Sequence, residues 1–256
     1  MRFPPGQLYQ CSSKMTAFHT ATFRLLTTKP QFSPTALSQV EETEHRLGCR
    51  LPASIREWYS NQEAIDILAK YSNQDPPIPL AEFAVTERDE DRLLPFKYEN
   101  QGVCTWAIAL DGSDDPPVYV DVDSNGAHWD IQAATFSAYI YACVWDYTCV
   151  LDQGALVQAQ NGPLSAEAVD QLRARFSEQP ATWGWPGSKQ HRFAGTDQAI
   201  LIWAAEDQAD WFVGARDATA LEPALRAVWN LDCVGQSFYD CSKVGKKVLD
   251  AIRGGL

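Results

Sequence analysis

Several groups of residues in this 256-residue chain have the types and spacing to do chemistry. Asp121-Val122-Asp123-Ser124-Asn125-Gly126 satisfies the D-x-[DN]-x-[DN]-G opening of a calcium loop, in which alternate carboxylates turn toward one ion. Position twelve is Gln132, where a bidentate Glu is required, and strand-like alternation precedes the loop, so the expectation is a hairpin turn and no metal. His45 and Cys49 stand at i and i+4 near a predicted helix end and could face the same way. An activated thiolate also needs an orienting third group and an electropositive pocket, and neither is visible in the sequence. His19, His128 and His191 are scattered, and no G-x-S-x-G, P-loop or H-E-x-x-H occurs. Trp183-Gly184-Trp185 could stack a sugar or a base, although a plug between subdomains is the expected reading. Neither a cofactor nor an enzymatic activity is expected.

A different constellation points to recognition. Tyr119 and Trp129, with Asp111, Asp114, Asp115, Asp121 and Asp123, fall on or beside one strand-rich stretch, and Trp106 lies nearby, where it is equally suited to the core. Aromatic side chains supply desolvated anchors and an acidic rim steers a basic partner, so these seven positions, Trp106 apart, are the candidate partner-binding residues. The formal net charge of −12 argues against nucleic acid, whose affinity comes largely from Lys and Arg neutralising phosphate. Acidity can equally serve solubility alone. No apolar run reaches the eighteen or so residues that span a bilayer. Seven irregularly spaced cysteines form no CxxC and suit reduced thiols, with Cys104 and Cys143 expected in the core. A cytoplasmic monomer or weak dimer is the expectation.

The elements that must position these residues are punctuated by turn chemistry. Asn100-Gln101-Gly102, Asp111-Gly112 and Asn125-Gly126 separate runs at Phe96 to Glu99, Val103 to Leu110, Val118 to Asp123 and His128 to Ile131, which predicts an antiparallel meander. In the third run the valines take one face, and Tyr119, Asp121 and Asp123 the other, exposed face. Thr135 is the predicted N-cap of a helix whose Phe136, Tyr139, Ile140 and Val144 cover the valine face.

Upstream, Met1 to Pro30 is basic and rich in Ser and Thr, and is expected to be a loose leader or a first strand at Thr20 to Leu26, with Met15 a second candidate start. Ser33-Pro34 opens a helix that stops at Gly48; a second helix carries Ile55, Trp58 and Tyr59, and a third, Gln62 to Tyr71, carries Ile65, Leu68 and Ala69. Downstream, a linker is expected around Gln160 to Pro163. There follow a helix capped by Ser165, strands at Ala199 to Ala204 and Ala209 to Ala215, a helix from Ala218 to Trp229, and a last helix, Ser242 to Arg253, bearing Val244, Val248 and Ile252. The expectation is an α+β protein: a leader over 1–30, a domain over 31–152 with an antiparallel sheet covered by helices, and a C-terminal α+β subdomain over 163–256.

The run VEETEHRLGCRLPASIREWY, followed by Val118-Tyr119 and Asp121 to Asp123, then Thr135-Phe136-Ser137-Ala138-Tyr139-Ile140, resembles the SUKH superfamily, which includes the fungal Smi/Knr cell-wall regulator and many bacterial immunity proteins. Glu44, Leu47, Gly48, Leu51 and Pro52 match its E-x-x-L-G-x-x-L-P pattern, and the resemblance spans about half the chain, Ser33 to Trp145. Where the family has Asn-Gly after the aromatic helix, this chain has Asn61-Gln62. The resemblance implies a non-enzymatic binder, an immunity protein that occupies a toxin's active site, its partner being a basic toxin domain. An intracellular regulatory scaffold is the alternative it also implies, and a hydrolase whose site the sequence does not reveal is a third reading.

Overall fold

A computed structural model describes residues 18–255 apart from 28, 30, 73–74, 89–90, 124–125 and 127. Helix α1 (Thr20–Leu25) corrects the expected strand: Thr22 and Phe23 are buried, and the N–H groups of Phe18 and His19 are held by the Glu57 carboxylate at 3.2 and 3.1 Å. The earlier leader residues, Met15 included, lie outside the described ones. In α2 (Pro34–Leu47) the Ser33 hydroxyl accepts from the Ala36 N–H, and Gly48 closes the helix at φ 66°, a conformation that costs glycine little. Helix α3 (Ala53–Tyr59) buries Ile55, Trp58 and Tyr59, while α4 (Ala64–Lys70) buries Ala64, Ile67 and Leu68. Ile65 and Ala69 face outward instead, the buried stripe being Ala64, Ile67 and Leu68 at i, i+3 and i+4.

The first sheet is the meander β1 (Thr86–Arg88), β2 (Asp91–Tyr98), β3 (Thr105–Ala109), β4 (Val118–Asp121) and β5 (Trp129–Ala133), antiparallel throughout. Its inner face, with Leu94, Ile108, Val118 and Val120, packs against α1 to α4 and against α5 (Phe136–Trp145), which Thr135 caps. A π-helical turn, Asp146–Leu151, extends α5 and carries the chain to β6 (Ala155–Asn161).

That strand lies inside the second sheet, one in from its edge. The second unit therefore begins at Ala155, and the expected linker at Gln160 to Pro163 is in part the end of a strand paired with β10. After α6 (Ala166–Arg173) come β7 (Ser177–Trp183), β8 (Lys189–Ala194), β9 (Gln198–Ala204) and β10 (Ala209–Ala215), then α7 (Ala218–Val228), β11 (Phe238–Cys241) and α8 (Lys243–Gly254). The order β11-β6-β10-β9-β8-β7 is again antiparallel. On one face Ile200, Ile202, Trp211 and Val213 meet α6, α7 and α8. On the other, Leu201 and Phe212 meet Trp145 and Val150, so α5 and its extension form the layer between the two sheets. In α8, Val248 and Ile252 are buried as expected, together with Gly245 and Leu249, while Val244 is exposed at the edge of that stripe. Among the described residues no helix is long and apolar enough to cross a membrane.

Candidate functional site

The structure divides the acidic residues expected to form one face. Asp111, Asp114 and Asp115 lie in the β3–β4 loop, beyond the Ile108↔Val118 pair, whereas Asp121 and Asp123 lie at the other end of the sheet, beside Thr105 and Trp129. Asp111, Asp114 and Asp123 are exposed. Asp115 accepts from the Ser137 N–H at 3.0 Å and from its hydroxyl, which ties the loop to the first turn of α5. Asp121 is corrected: it is 2% exposed, because its carboxylate accepts the turn N–H groups of Asp123 (3.2 Å) and Gly126 (2.6 Å). A strand-end carboxylate that closes its own turn has no oxygen aimed at a partner, and the calcium-like motif is accounted for by this hairpin. Trp129 is buried beside Tyr119, against Leu93, Ala107 and Ala109 on the outer face. Among the described residues there is no group of three or more His, Cys, Asp or Glu placed to hold a metal.

The exposed apolar surface lies next to this cluster. Ile131 on edge strand β5 is 51% exposed and Trp183 at the end of β7 is 38% exposed. With Trp129, Asp130, Pro117 and Gly184 they line an open groove of about 900 Å³ between the two sheets' edges. The loop after Trp183 is fixed against β5. Gln132 Nε2 donates to the Trp185 carbonyl at 2.9 Å, and the Trp185 N–H donates to Gln132 Oε1 at 3.2 Å. Gly184, at φ 74°, lies so near the sheet that an added Cβ would sit 2.6 Å from Val120 Cγ1. The Trp183-Gly184-Trp185 segment thus bridges the two sheets through its backbone, but both indoles stay more than a third exposed, which is short of the expected plug.

Behind that loop is a cavity of about 490 Å³ enclosed by both sheets, α5 and the π-helical turn. Its polar groups come from distant parts of the sequence. In β2 a bulge between Pro95 and Lys97 places Lys97 opposite Trp106, so the lysine turns inward and is 3% exposed. Its Nζ lies 3.8 Å from the centre of the Trp106 ring and donates to Asp75 Oδ2 at 3.2 Å. A second bulge, between Gln179 and Thr182 in β7, aims the Thr182 hydroxyl at Gln190 Oε1 (2.6 Å). Arg192 Nη1 donates to that hydroxyl at 2.9 Å, while its Nε and Nη2 donate to both oxygens of Asp146 at 2.6 and 2.7 Å. Gln132 completes the chain, accepting from Trp106 Nε1 at 3.3 Å. Burial raises the Asp75 and Asp146 carboxyls above their usual range, with Lys97 and Arg192 respectively opposing it. Burial likewise pushes the Cys104 thiol up to about 12, the behaviour of an inert core cysteine.

Sequence reasoning did not find this cavity. The available signal was proline inside two strands, Pro95 and Pro180, each at a bulge, where a polar residue turns into the molecule. Cys49 lines a shallow pocket with Arg50, Arg92 and Asp114, of which exposed His45 is not a lining residue, so the pair is not brought together at one site. The residues of the SUKH-like motif form the joint between α2 and α3: Glu44 accepts from the Leu51 N–H at 2.7 Å and pairs with Arg56, and Leu51 is buried. Comparisons with protein-family models, with curated proteins and with solved structures return no match.

Proposed function

We propose that this chain is a non-enzymatic protein-binding protein of the immunity type, which neutralises a toxin by covering its active site. The observation that carries the reading is the groove in which Ile131 and Trp183 stand exposed on a rigid floor of Trp129, Asp130 and the docked 184–185 loop. Apolar and aromatic anchors of this kind, on regular elements and not on a mobile loop, are what interface centres use. The charge of −12, with Asp111, Asp114, Asp123 and Asp130 on the surface, supports a basic partner attracted from a distance. The SUKH resemblance implies the same reading, and its Glu44, Gly48 and Leu51 form the joint between α2 and α3.

The test uses the full chain as bait in cells that also produce the product of a neighbouring toxin gene, with the retained protein identified by mass spectrometry. A basic toxin domain should be held by the wild type and lost by Ile131→Asp combined with Trp183→Ala. Asp111→Lys with Asp114→Lys should slow association about tenfold at low salt, with little effect at high salt. Retention of a regulatory assembly in place of a toxin would favour the scaffold reading. Retention indifferent to the groove substitutions would remove the groove as the site.

A further inference from the structure

We propose that the cavity between the two sheets binds a neutral polyhydroxylated ring, a mono- or disaccharide. Its volume of about 490 Å³ lies within the roughly 300–1,000 Å³ of small-ligand pockets. Four of its five charges are already balanced in pairs. Lys97 meets Asp75 and Arg192 meets Asp146, while the Glu99 carboxylate accepts from the N–H groups of Gln101 and Val103 in its own loop. An anion entering the cavity would face the three carboxylates, and a cation would have to compete with Lys97, Arg192 and the loop N–H groups for carboxylates already engaged, so a neutral guest is favoured. Paired ions do, however, offer donors and acceptors side by side. Vicinal hydroxyl groups, each both donor and acceptor, match that alternation.

A second observation marks the cavity as a place for a polar guest. Tyr139 is buried and contributes to the lining, yet its Oη has no oxygen or nitrogen partner among the described residues, and the Cys143 thiol beside it is only a weak one. A buried hydroxyl so weakly paired lowers stability, and a small shift of the ring toward the cavity would bring it within reach of a ligand hydroxyl. The remaining wall, with Leu151, Leu156, Trp203 and Phe212, is apolar and suits the C–H faces of a sugar ring. A planar base fits less well. The face of Trp106 is covered by the Lys97 ammonium, and the Trp203 and Phe212 rings are tilted by 55° to each other, so they do not form a flat slot. Trp185, 39% exposed, stands at the mouth.

The full chain would be titrated with glucose, maltose, N-acetylglucosamine and adenosine, following tryptophan fluorescence and calorimetric heat, since Trp106, Trp185 and Trp203 all line the cavity. At least one saccharide should bind and raise the thermal midpoint. Tyr139→Phe should weaken that binding about tenfold, while the midpoint of the unliganded protein stays level or rises because a weakly paired hydroxyl has been removed. Trp185→Ala should weaken binding without harming the fold, because it is the backbone of Trp185 that holds the loop to Gln132. Binding of adenosine alone, an absence of saccharide binding at millimolar concentration, or equal affinity in both variants would overturn the proposal. Neither the Tyr139 nor the Trp185 side chain lines the protein-binding groove, and the backbone bonds that hold the 184–185 loop are kept in both variants, so the outcome is read apart from that groove.

Discussion

His19 is a buried base with one polar contact, its Nε2 lying 3.0 Å from the Ser54 carbonyl while Nδ1 has no partner. The Trp58 and Phe136 rings enclose it at 4.9 and 5.8 Å. Burial lowers its pKa to about 4, against weaker opposing effects of the Ser54 carbonyl and Asp115. His191 is lowered to about 4 as well, by burial and then by Lys189. Each is neutral in the folded chain and takes up a proton on unfolding once the pH drops below about 6.5. Stability from this source is complete above that pH and is lost as the pH falls toward 4, by about 3 kcal/mol for each histidine. Glu57, Asp75 and Asp146, whose carboxyls are raised mainly by burial, act in the opposite sense as the pH falls. The His19 contribution is therefore read as the difference between the wild type and a variant from pH 7 to pH 5. Over that window the urea midpoint should fall, and His19→Gln, which can still donate to Ser54, should roughly halve the slope. An unchanged slope in the variant would show that His19 is accessible to protons in the folded state.

At the scale of elements, close backbone approaches fix where helices dock. Gly245 in α8 lies against β6 so closely that an added Cβ would strike the Leu156 carbonyl oxygen and crowd Val157 Cγ2 at 2.9 Å. Since the obstacle is strand backbone, the helix must move. Gly245→Ala is expected to cost about 1–3 kcal/mol and to speed amide exchange across α8 while leaving α5 protected. Elements with local signals were legible in the sequence: Ser33, Thr135 and Ser165 cap their helices as read, and Ala199 to Ala204 is covered on both faces. Strands β1, β6, β7, β8 and β11 were not legible. Residues 189–192 (Lys-Gln-His-Arg) of β8 are too polar to suggest a strand until the network around Gln190 and Arg192 is known, and β6 ends in turn-like Gln-Asn-Gly-Pro. For the candidate site, composition placed Trp129 and the Trp183 loop in the reckoning but not beside each other. Asp121 was misassigned because period-2 alternation says which side a strand residue takes, not whether the turn that follows consumes its carboxylate.

At the scale of the whole molecule, the two sheets are joined by a run of polar contacts that neither half could satisfy alone. From Asp146 it passes through Arg192, Thr182 and Gln190 to Gln132 and Trp106, so residues from α5's extension, β8, β7, β5 and β3 hold one another. Tyr141 adds a further bond from α5, its hydroxyl donating to Gln179 at 2.9 Å. A buried pair of this kind adds little over an apolar replacement of the same shape, but breaking it from one side leaves a charge with no counterpart. Arg192→Met should therefore cost about 3–5 kcal/mol at pH 8, and Arg192→Met with Asp146→Leu should recover most of that loss. The pH dependence identifies the cause. Asp146 already has its carboxyl raised by burial, and without Arg192 to oppose that rise it is protonated more readily, which discharges it. The penalty of the single variant should then shrink on going from pH 8 to pH 5, whereas that of the double variant should not change. Denaturation followed in parallel by tryptophan fluorescence and far-ultraviolet circular dichroism supplies both readings. Coincident transitions in the wild type and separated ones in the Arg192→Met variant at pH 8 would mean that this one pair makes the two sheets unfold together.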